Sequence, residues 1–355
     1  MISLRNILGV ISLVSLATGI GVKPAEGCSA FSCTTGGAVI TAKNYDWTLG
    51  DGLLIVNQRG VTKTSRLFPD PQAPRWTSRY GSVTFNQYGR DLPQGGMNEA
   101  GLVVEVLWLE GTEYPADDAR DDIGCSQWVQ NQLDTAATVE EVIASFAKIQ
   151  IRAQVPLHFF VADSTGCTAS LEFIEGRQVF HAGDAMPVQV LTNSPYAEAL
   201  ECFTSWSRRS EDVPTSSGSL DRFVRCASMT RQATAAPDAS EFAFGILDGV
   251  RQPGFTQWST VYDQTRRVVS LKTLGNPTVR SIDFAAQDFA CGRPVSIADI
   301  DASPIGGAIA WRPYSYQDNL NLVTKTYRGT PFLHSVPDSL YAVIAGYPEQ
   351  SRCTR

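Results

Sequence analysis

The sequence is poor in side chains that bind metals and in loops that bind phosphates. It has three histidines, His158, His181 and His334, which stand far apart and lack the spacing of a metal site. No glycine-rich loop precedes a helical pattern, because Gly36-Gly37 falls between two strand patterns. Zinc chemistry and nucleotide binding are therefore not indicated, and we expect the protein to need no metal and no organic cofactor.

Charge and long apolar runs are also scarce. Charged residues make up 18% of the 355 residues, the net charge is −7, and no basic stripe is present. Binding to nucleic acid or to an anionic membrane is therefore not expected. The apolar run Ile7–Val22 is shorter than the about 20 residues that span a bilayer, so we expect no membrane anchor.

The first 27 residues have the pattern of a secretory signal peptide. Arg5 gives a positive start, an apolar run follows, and the small residues Ala25 and Gly27 stand three places and one place before Cys28. We expect residues 1–27 to be removed and residues 28–355 to form one periplasmic or secreted domain. Lipid attachment at Cys28 is an alternative, but Ala25-Glu26 fits a lipid-attachment box poorly.

Cleavage after Gly27 would give Cys28 both a thiol and a free α-amine. A thiol of pKa ~8.5 is mostly protonated at neutral pH, and an α-amine of pKa ~8 can accept its proton. The pattern therefore predicts an N-terminal cysteine nucleophile. A cysteine near the start of a secreted protein is also typical of a disulfide.

The residues after the cleavage site predict a hairpin. Two strand patterns, Cys28–Thr35 and Ala38–Trp47, meet at a pair of glycines. A two-residue loop would place the cysteine opposite Tyr45, and a three-residue loop would place it opposite Asp46. Either loop returns Asp46 to the new N-terminus.

Two charged residues on the second strand would then lie near Cys28. A carboxylate at Asp46 would orient the α-amine, and a cation at Lys43 would favour the thiolate. The alternative is that Lys43 and Asp46 form an ordinary surface ion pair.

The rest of the chain alternates groups of strands with groups of helices. Strand patterns occur at Leu53–Asn57, Gly101–Leu109, Leu157–Ala162, Ala169–Ile174, Gln189–Thr192, Thr260–Tyr262 and Val268–Lys272. Helical patterns occur at Ser126–Ser145, Pro195–Trp206, Leu220–Ala233 and Ser240–Leu247. Because strict βαβ alternation is absent, this order favours an α+β fold with mostly antiparallel sheets.

Two stretches lack such patterns, and the cysteines allow several pairings. We expect residues 61–87 to be a polar surface excursion and the residues after Ala298 to be an extended C-terminal tail. Cys202 with Cys226 and Cys291 with Cys353 are possible disulfides, but the sequence cannot choose the connectivity.

Six short motifs occur in a consistent order from Cys28 to Asp263. They are the cysteine itself, AKNYDW at 42–47, GMNEAGLVVEVLW at 96–108, LTNSP at 191–195, LDRF at 220–223 and FTQWSTVYD at 255–263. Together they resemble the choloylglycine hydrolase family, which includes penicillin V acylases and bile salt hydrolases and belongs to the N-terminal nucleophile hydrolases. The resemblance implies a four-layer αββα sandwich, with two antiparallel sheets between helical layers.

The resemblance also assigns roles to individual residues. Cys28 would be the nucleophile and its α-amine the base, and Asp46 would orient that amine. The side chain of Asn193 and the backbone N–H of Trp108 would bind the oxyanion. Arg222 would be a charged partner near the thiol and Asp46.

The chain departs from the family pattern at two positions. Lys43 stands where the family usually has arginine, so the positive charge is kept but the planar guanidinium group, with its fixed set of donors, is lost. Trp108 replaces an asparagine that is common in bile salt hydrolases, which implies a pocket suited to other acyl groups. Trp47 and Trp108 are candidates to line that pocket, although strand tryptophans are more often part of a core.

The resemblance therefore predicts a hydrolase that cleaves a linear carboxamide with a hydrophobic acyl group through an acyl-enzyme. Candidate substrates, in order, are penicillin V, N-acyl homoserine lactones and conjugated bile salts. The alternatives are an exported binding protein with a decayed site, an acyltransferase, and a Cys–His dyad with His158 or His181. The family is often tetrameric, which implies a homotetramer.

Overall fold

The computed structural model describes residues 27–65, 73–116, 118, 120–153, 155–209, 211–232, 238–302 and 308–354. The predicted signal peptide lies outside these residues, except for Gly27. No helix of the described part of the chain is long and apolar enough to cross a membrane.

The strands and helices alternate in groups along the chain. The strands are β1 Ser29–Thr35, β2 Ala38–Asp46, β3 Leu53–Asn57, β4 Val61–Thr64, β5 Arg75–Thr77, β6 Ser82–Asn86, β7 Gly95–Asn98, β8 Val103–Trp108, β9 Asp121–Ile123, β10 Ile149–Ile151, β11 Leu157–Ala162, β12 Thr168–Ile174, β13 Arg177–Ala182, β14 Val190–Leu191, β15 Thr256–Asp263, β16 Val268–Thr273, β17 Arg280–Asp283, β18 Ser296–Asp299, β19 Arg312–Pro313 and β20 Arg352–Cys353. The helices are α1 Cys125–Thr135, α2 Val139–Ser145, α3 Tyr196–Arg209, α4 Ser219–Thr230, α5 Ala239–Val250, α6 Tyr316–Gly329 and α7 Asp338–Gly346.

Two large antiparallel sheets form the centre of the molecule. One has the strand order β14-β1-β2-β15-β16-β17, and the other has the order β13-β12-β11-β8-β7-β6-β3-β18-β19. Helices α4 and α5 pack on the first sheet, and α1 packs on β7 and β8 of the second. Buried residues of both sheets, such as Ile40 and Phe85, share one core cluster. The predicted αββα sandwich is confirmed.

The β1–β2 hairpin has the shorter of the two predicted loops. Gly36 and Gly37 have φ angles of 56° and 78°, and two consecutive left-handed residues are typical of a two-residue hairpin turn. Ser29 is paired with Asn44. Cys28 therefore faces Tyr45 in register, and Asp46 ends the strand beside it.

The prediction of a surface excursion over 61–87 is wrong. Strand β6 lies inside the larger sheet and is buried at every residue. Two of its polar side chains accept hydrogen bonds across the sheet, since Asn57 Nδ2 donates to Ser82 Oγ at 3.1 Å and to Thr84 Oγ1 at 2.8 Å. Val83 and Phe85 alternate with these polar residues and lie in the core, but the pattern is only five residues long and stands in a polar stretch.

The prediction of an extended C-terminal tail is also wrong, since α6 and α7 occupy much of this segment. The Ser315 side chain accepts a hydrogen bond from the N–H of Asp318 and caps α6. Val323 of α6 and Tyr341 and Ile344 of α7 form a small core of their own. A disulfide between Cys291 and Cys353 links the C-terminal end of the chain to the segment before β18.

The other predicted disulfide is not formed. Cys202 and Cys226 are both free, as are Cys28 and Cys33. The nucleophile candidate is therefore not locked in a disulfide.

Candidate active site

Cys28 lies just before β1 and is only 5% exposed. Burial raises the pKa of its thiol, while the nearby charge of Lys43 opposes the rise and that of Asp46 adds to it. Because Gly27 precedes it in the described chain, its nitrogen is a peptide N–H. In this form the site has a buried thiol that needs a base.

Asp46 lies at the end of β2, next to the Gly27–Cys28 peptide bond. Gln252 Nε2 donates to Asp46 Oδ2 at 2.7 Å and to the carbonyl oxygen of Gly27 at 3.1 Å. The other carboxylate oxygen, Oδ1, is buried and has no donor at hydrogen-bond distance among the described residues, although the Thr256 hydroxyl lies close enough to the carboxyl to lower its pKa. Burial raises the pKa of Asp46 to about 6, against the opposing effects of the Thr256 hydroxyl and Arg222.

Arg222 on α4 is fully buried and connects Cys28 to Asn193. Its Nη1 donates to the carbonyl oxygen of Cys28 at 2.8 Å and to Ser29 Oγ at 2.7 Å. Its Nη2 donates to Asn193 Oδ1 at 2.8 Å. The Asn193 amide nitrogen donates to the carbonyl oxygen of Trp108 at 2.6 Å. Because a guanidinium only donates and a carbonyl only accepts, the amide orientation is fixed.

The second N–H of the Asn193 amide is not used by Trp108, since an amide nitrogen carries two hydrogens. A side-chain carbon placed on Gly27 would lie 2.8 Å from Asn193 Nδ2. The backbone of Gly27 therefore fits against this amide only because it has no side chain.

The backbone N–H of Trp108 points to the same side of β8 as its carbonyl. Along an antiparallel strand, successive residues hydrogen-bond to alternate neighbours. The N–H of Leu109 bonds to Pro156 on the β11 side at 3.0 Å, and the N–H of Val106 bonds to Gln94 on the β7 side at 3.2 Å. The N–H of Trp108 therefore faces the β7 side, beyond the first residue of β7. Asn193 and Trp108 can thus supply two neighbouring donors.

Lys43 is buried, so the alternative of a surface ion pair is wrong. Its Nζ contacts Glu105 Oε2 at 2.7 Å and the Gln94 carbonyl oxygen at 3.3 Å. Burial raises the pKa of Glu105, and the charge of Lys43 opposes this rise. A side-chain carbon on Gly95 would lie 2.0 Å from Glu105 Oε2, so glycine makes room for the pair.

A cavity of about 490 Å³ opens beside Cys28. Trp47, Trp108 and Phe332 line it, and their rings lie 5.7 to 6.2 Å apart between centroids. Among the described residues that line it, Asp46 is the only carboxylate and none is basic. The cavity is therefore suited to a neutral, largely apolar group.

His158 on β11 and His181 on β13 form a network of contacts with Glu172 instead of a Cys–His dyad. His158 contacts the Glu172 carboxylate at 3.2 Å through Nδ1 and the Thr192 carbonyl oxygen at 2.8 Å through Nε2. Burial would raise the pKa of Glu172, but hydrogen bonds with His158 and His181 lower it to about 2. Glu172 also accepts from the N–H of Tyr196 at 2.9 Å. This network supports the segment that carries Asn193.

The structure places all six residues predicted for the site in one region. They are Cys28, Lys43, Asp46, Trp108, Asn193 and Arg222. Gln252 and Glu105 also belong to this region, and the sequence reading missed both. The sequence does mark Glu105, because an acidic residue inside the apolar run LVVEVLW must have a charged or hydrogen-bonding partner when it is buried. Gln252 lies between α5 and β15 and has no pattern that marks it.

A comparison with protein families matches residues 28–297 to the linear amide C–N hydrolases of the choloylglycine hydrolase family. The chain belongs to this family. It is accordingly a hydrolase that acts on linear amides, as the sequence motifs predict.

Known members of the choloylglycine hydrolase family resemble the chain to different degrees. A penicillin V acylase from Pectobacterium atrosepticum is 29% identical over 275 residues, which are 64% of this chain and 72% of that protein. The structure of penicillin V acylase from Agrobacterium tumefaciens is 29% identical, has a TM-score of 0.70, and is matched over 81% of this chain and 99% of its own. A variant of the conjugated bile acid hydrolase from Clostridium perfringens is 18% identical, with a TM-score of 0.64 over 81% of this chain and 97% of its own, and shares the fold.

Proposed function

We propose that the chain is an exported amidase of the penicillin V acylase type, periplasmic or secreted, with Cys28 as its mature N-terminus and nucleophile. The family match supports this, because it begins at Cys28. The two penicillin V acylases at 29% identity support penicillin V as the first candidate substrate. N-acyl homoserine lactones and conjugated bile salts are lesser candidates.

The buried oxygen of Asp46 that accepts no hydrogen bond is the observation that carries the proposal. A buried carboxylate oxygen without a donor costs about 1–3 kcal/mol or more. Removal of residues 1–27 would turn the peptide nitrogen of Cys28 into an α-amine close to this carboxylate. The protonated amine would then supply the missing donor.

The proposed reaction begins when the α-amine takes the proton of the thiol. The thiolate of Cys28 attacks the substrate carbonyl carbon, and the oxyanion accepts hydrogen bonds from Asn193 Nδ2 and the N–H of Trp108. Donors of this kind each contribute about 3–4 kcal/mol to the transition state. The α-ammonium protonates the leaving amine as the C–N bond breaks, which leaves a thioester. Water then attacks the thioester with the amine again as base, and the acid and the thiol are released.

The test compares the exported protein with its Cys28→Ser and Cys28→Ala variants. We expect mass and N-terminal sequencing to place the mature start at residue 28 in the unsubstituted protein and its thiol to react with a labelling reagent. Cys28→Ala should lose about a thousandfold or more of amide turnover, and Cys28→Ser should lose most of it. A mature start elsewhere, or full activity of Cys28→Ala, would overturn the proposal.

A further inference from the structure

The segment Tyr327–Leu333, which we name the C-terminal wall, closes one side of the cavity beside Cys28. It comprises the end of α6 and the short 3-10 turn Pro331–Leu333. Tyr327, Phe332 and Leu333 line the cavity together with residues of the two sheets. The family match ends at residue 297, so the wall lies beyond the part of the chain that defines the family.

Hydrogen bonds hold the wall to the segment that follows strand β2. The Trp47 indole N–H donates to Tyr88 OH at 2.8 Å. Tyr88 OH lies 3.1 Å from Thr330 Oγ1, and Thr330 is fully buried. A side-chain carbon on Gly329 would lie 2.9 Å from Leu49 Cδ1, which shows how closely the wall approaches. The position of Phe332 is therefore fixed relative to Trp47.

The end of the chain beyond the wall is anchored as well. The disulfide Cys291–Cys353 joins the last strand to the segment before β18. Strand β20 pairs with β4, and Tyr347 OH donates to the Thr64 carbonyl oxygen. Because the segment is fixed at both ends, the wall is formed before any ligand arrives.

Phe332 completes a group of three aromatic rings at the cavity mouth. Its ring centroid lies 6.2 Å from that of Trp47 and 6.0 Å from that of Trp108, and the residue is 36% exposed. Aromatic rings attract one another at these separations in tilted and edge-to-face arrangements. A carboxylate on the acyl group would be desolvated here without a cation, because no described residue of the lining is basic.

We infer that the C-terminal wall determines acyl specificity through Phe332. It selects neutral acyl groups that end in an aromatic ring over straight-chain acyl groups of similar length. The inference rests on the proposed function, because it assigns this cavity to the acyl group. A straight chain fills the same apolar space but gains no ring contact with Phe332.

The test measures kcat/KM for the p-nitroanilides of phenoxyacetic acid and octanoic acid. Phe332→Leu keeps the apolar bulk and removes the ring. We expect it to lower kcat/KM for the phenoxyacetyl substrate about five- to tenfold, mainly through KM, and for the octanoyl substrate less than about twofold. Tyr316→Leu is the matched control, since Tyr316 begins α6, the helix that leads into the wall, is 38% exposed and does not line the cavity. It should leave both values unchanged.

Binding to the inactive protein separates this inference from the proposed function. In the mature Cys28→Ala protein, phenoxyacetamide should quench tryptophan fluorescence, and adding Phe332→Leu should weaken that binding by a similar factor. Equal losses for both anilides, or unaltered phenoxyacetamide binding in a folded Phe332→Leu protein, would overturn the inference alone. Loss of the Cys28 requirement with the phenoxyacetyl preference intact would overturn the proposed mechanism alone.

Discussion

At the scale of single residues, Arg222 is the side chain that contacts both the Cys28 backbone and the Asn193 amide. Its guanidinium reaches the Cys28 carbonyl oxygen, Ser29 Oγ and Asn193 Oδ1 at 2.7 to 2.8 Å. A planar guanidinium group donates hydrogen bonds to several acceptors at fixed angles, whereas the ammonium group of a lysine has no such fixed geometry. Arg222 therefore orients the Asn193 amide as well as the backbone of Cys28.

Arg222→Lys tests this positioning role. We expect kcat to fall about a hundredfold with little change in KM, because Asn193 would lose the bond that aims its amide while the acyl cavity stays intact. Steady-state kinetics on a phenoxyacetyl anilide would measure it. Arg225→Lys is the control, since Arg225 lies on the same helix and bonds to the Gly249 carbonyl away from the site. A change confined to KM would contradict the role.

Sequence reasoning succeeded for residues whose neighbours form a motif. Asp46, Asn193 and Arg222 stand inside short runs that resemble the family, and the structure brings them together around Cys28. Gln252 bonds to Asp46 from a loop between a helix and a strand, and only the folded chain shows this contact. Contacts between distant loops leave no periodic signal in a sequence.

At the scale of elements, the buried pair of Lys43 on β2 and Glu105 on β8 links the two sheets. The pair lies 2.7 Å apart, and both side chains are at most 3% exposed. Tyr262 on β15 donates its hydroxyl hydrogen to the same carboxylate. Gly95 on β7 leaves the space that Glu105 occupies.

Gly95→Ala should push Glu105 away from Lys43. Since breaking a buried ion pair costs about 3–5 kcal/mol, we expect a loss of about 3 kcal/mol in the free energy of unfolding. Urea unfolding followed by circular dichroism would measure it. Gly245→Ala is the matched control, because an added carbon there meets nothing within 4 Å, and alanine favours the helix by about 1 kcal/mol. Equal stabilities of Gly95→Ala and the unsubstituted protein would contradict this account.

The elements were predictable where pattern and turn chemistry agreed. The β1–β2 hairpin follows from two strand patterns and a glycine pair, and the helices α3 to α5 follow from their periodicity. Strand β6 was missed because Val83 and Phe85 give only a short alternating pattern among buried polar residues, two of which accept hydrogen bonds from Asn57. Helices α6 and α7 were missed because the segment after Ala298 is rich in proline and tyrosine, which suggested an extended chain.

At the scale of the whole molecule, cleavage of the leader should change the charge balance around Asp46. In the chain that retains Gly27, the folded pKa of about 6 exceeds the unfolded value of about 3.9. A raised pKa means that the folded state holds the proton more tightly. The stability is therefore greatest below about pH 4 and falls as pH rises to about 6.

This linkage gives a prediction that compares the uncut and mature proteins. The uncut protein should lose about 2 kcal/mol of unfolding free energy between pH 4 and 7 through this carboxyl, relative to its Asp46→Asn variant. The mature protein should lose less, because an α-ammonium beside Asp46 favours the carboxylate and lowers its pKa. Urea unfolding across this pH range would measure both. Identical pH profiles for the two forms would mean that no ammonium lies near Asp46.

The placement of Gly27 has a consequence for when the protein can work. A side-chain carbon on Gly27 would lie 2.8 Å from Asn193 Nδ2, so the residue before Cys28 lies close to the amide that we propose faces the substrate. On the proposed cleavage after Gly27, the same cut would free the α-amine of Cys28 and remove Gly27 from the Asn193 amide. One proteolytic event would thus supply the base and open the substrate position together, so the uncut protein would need no separate inhibitor.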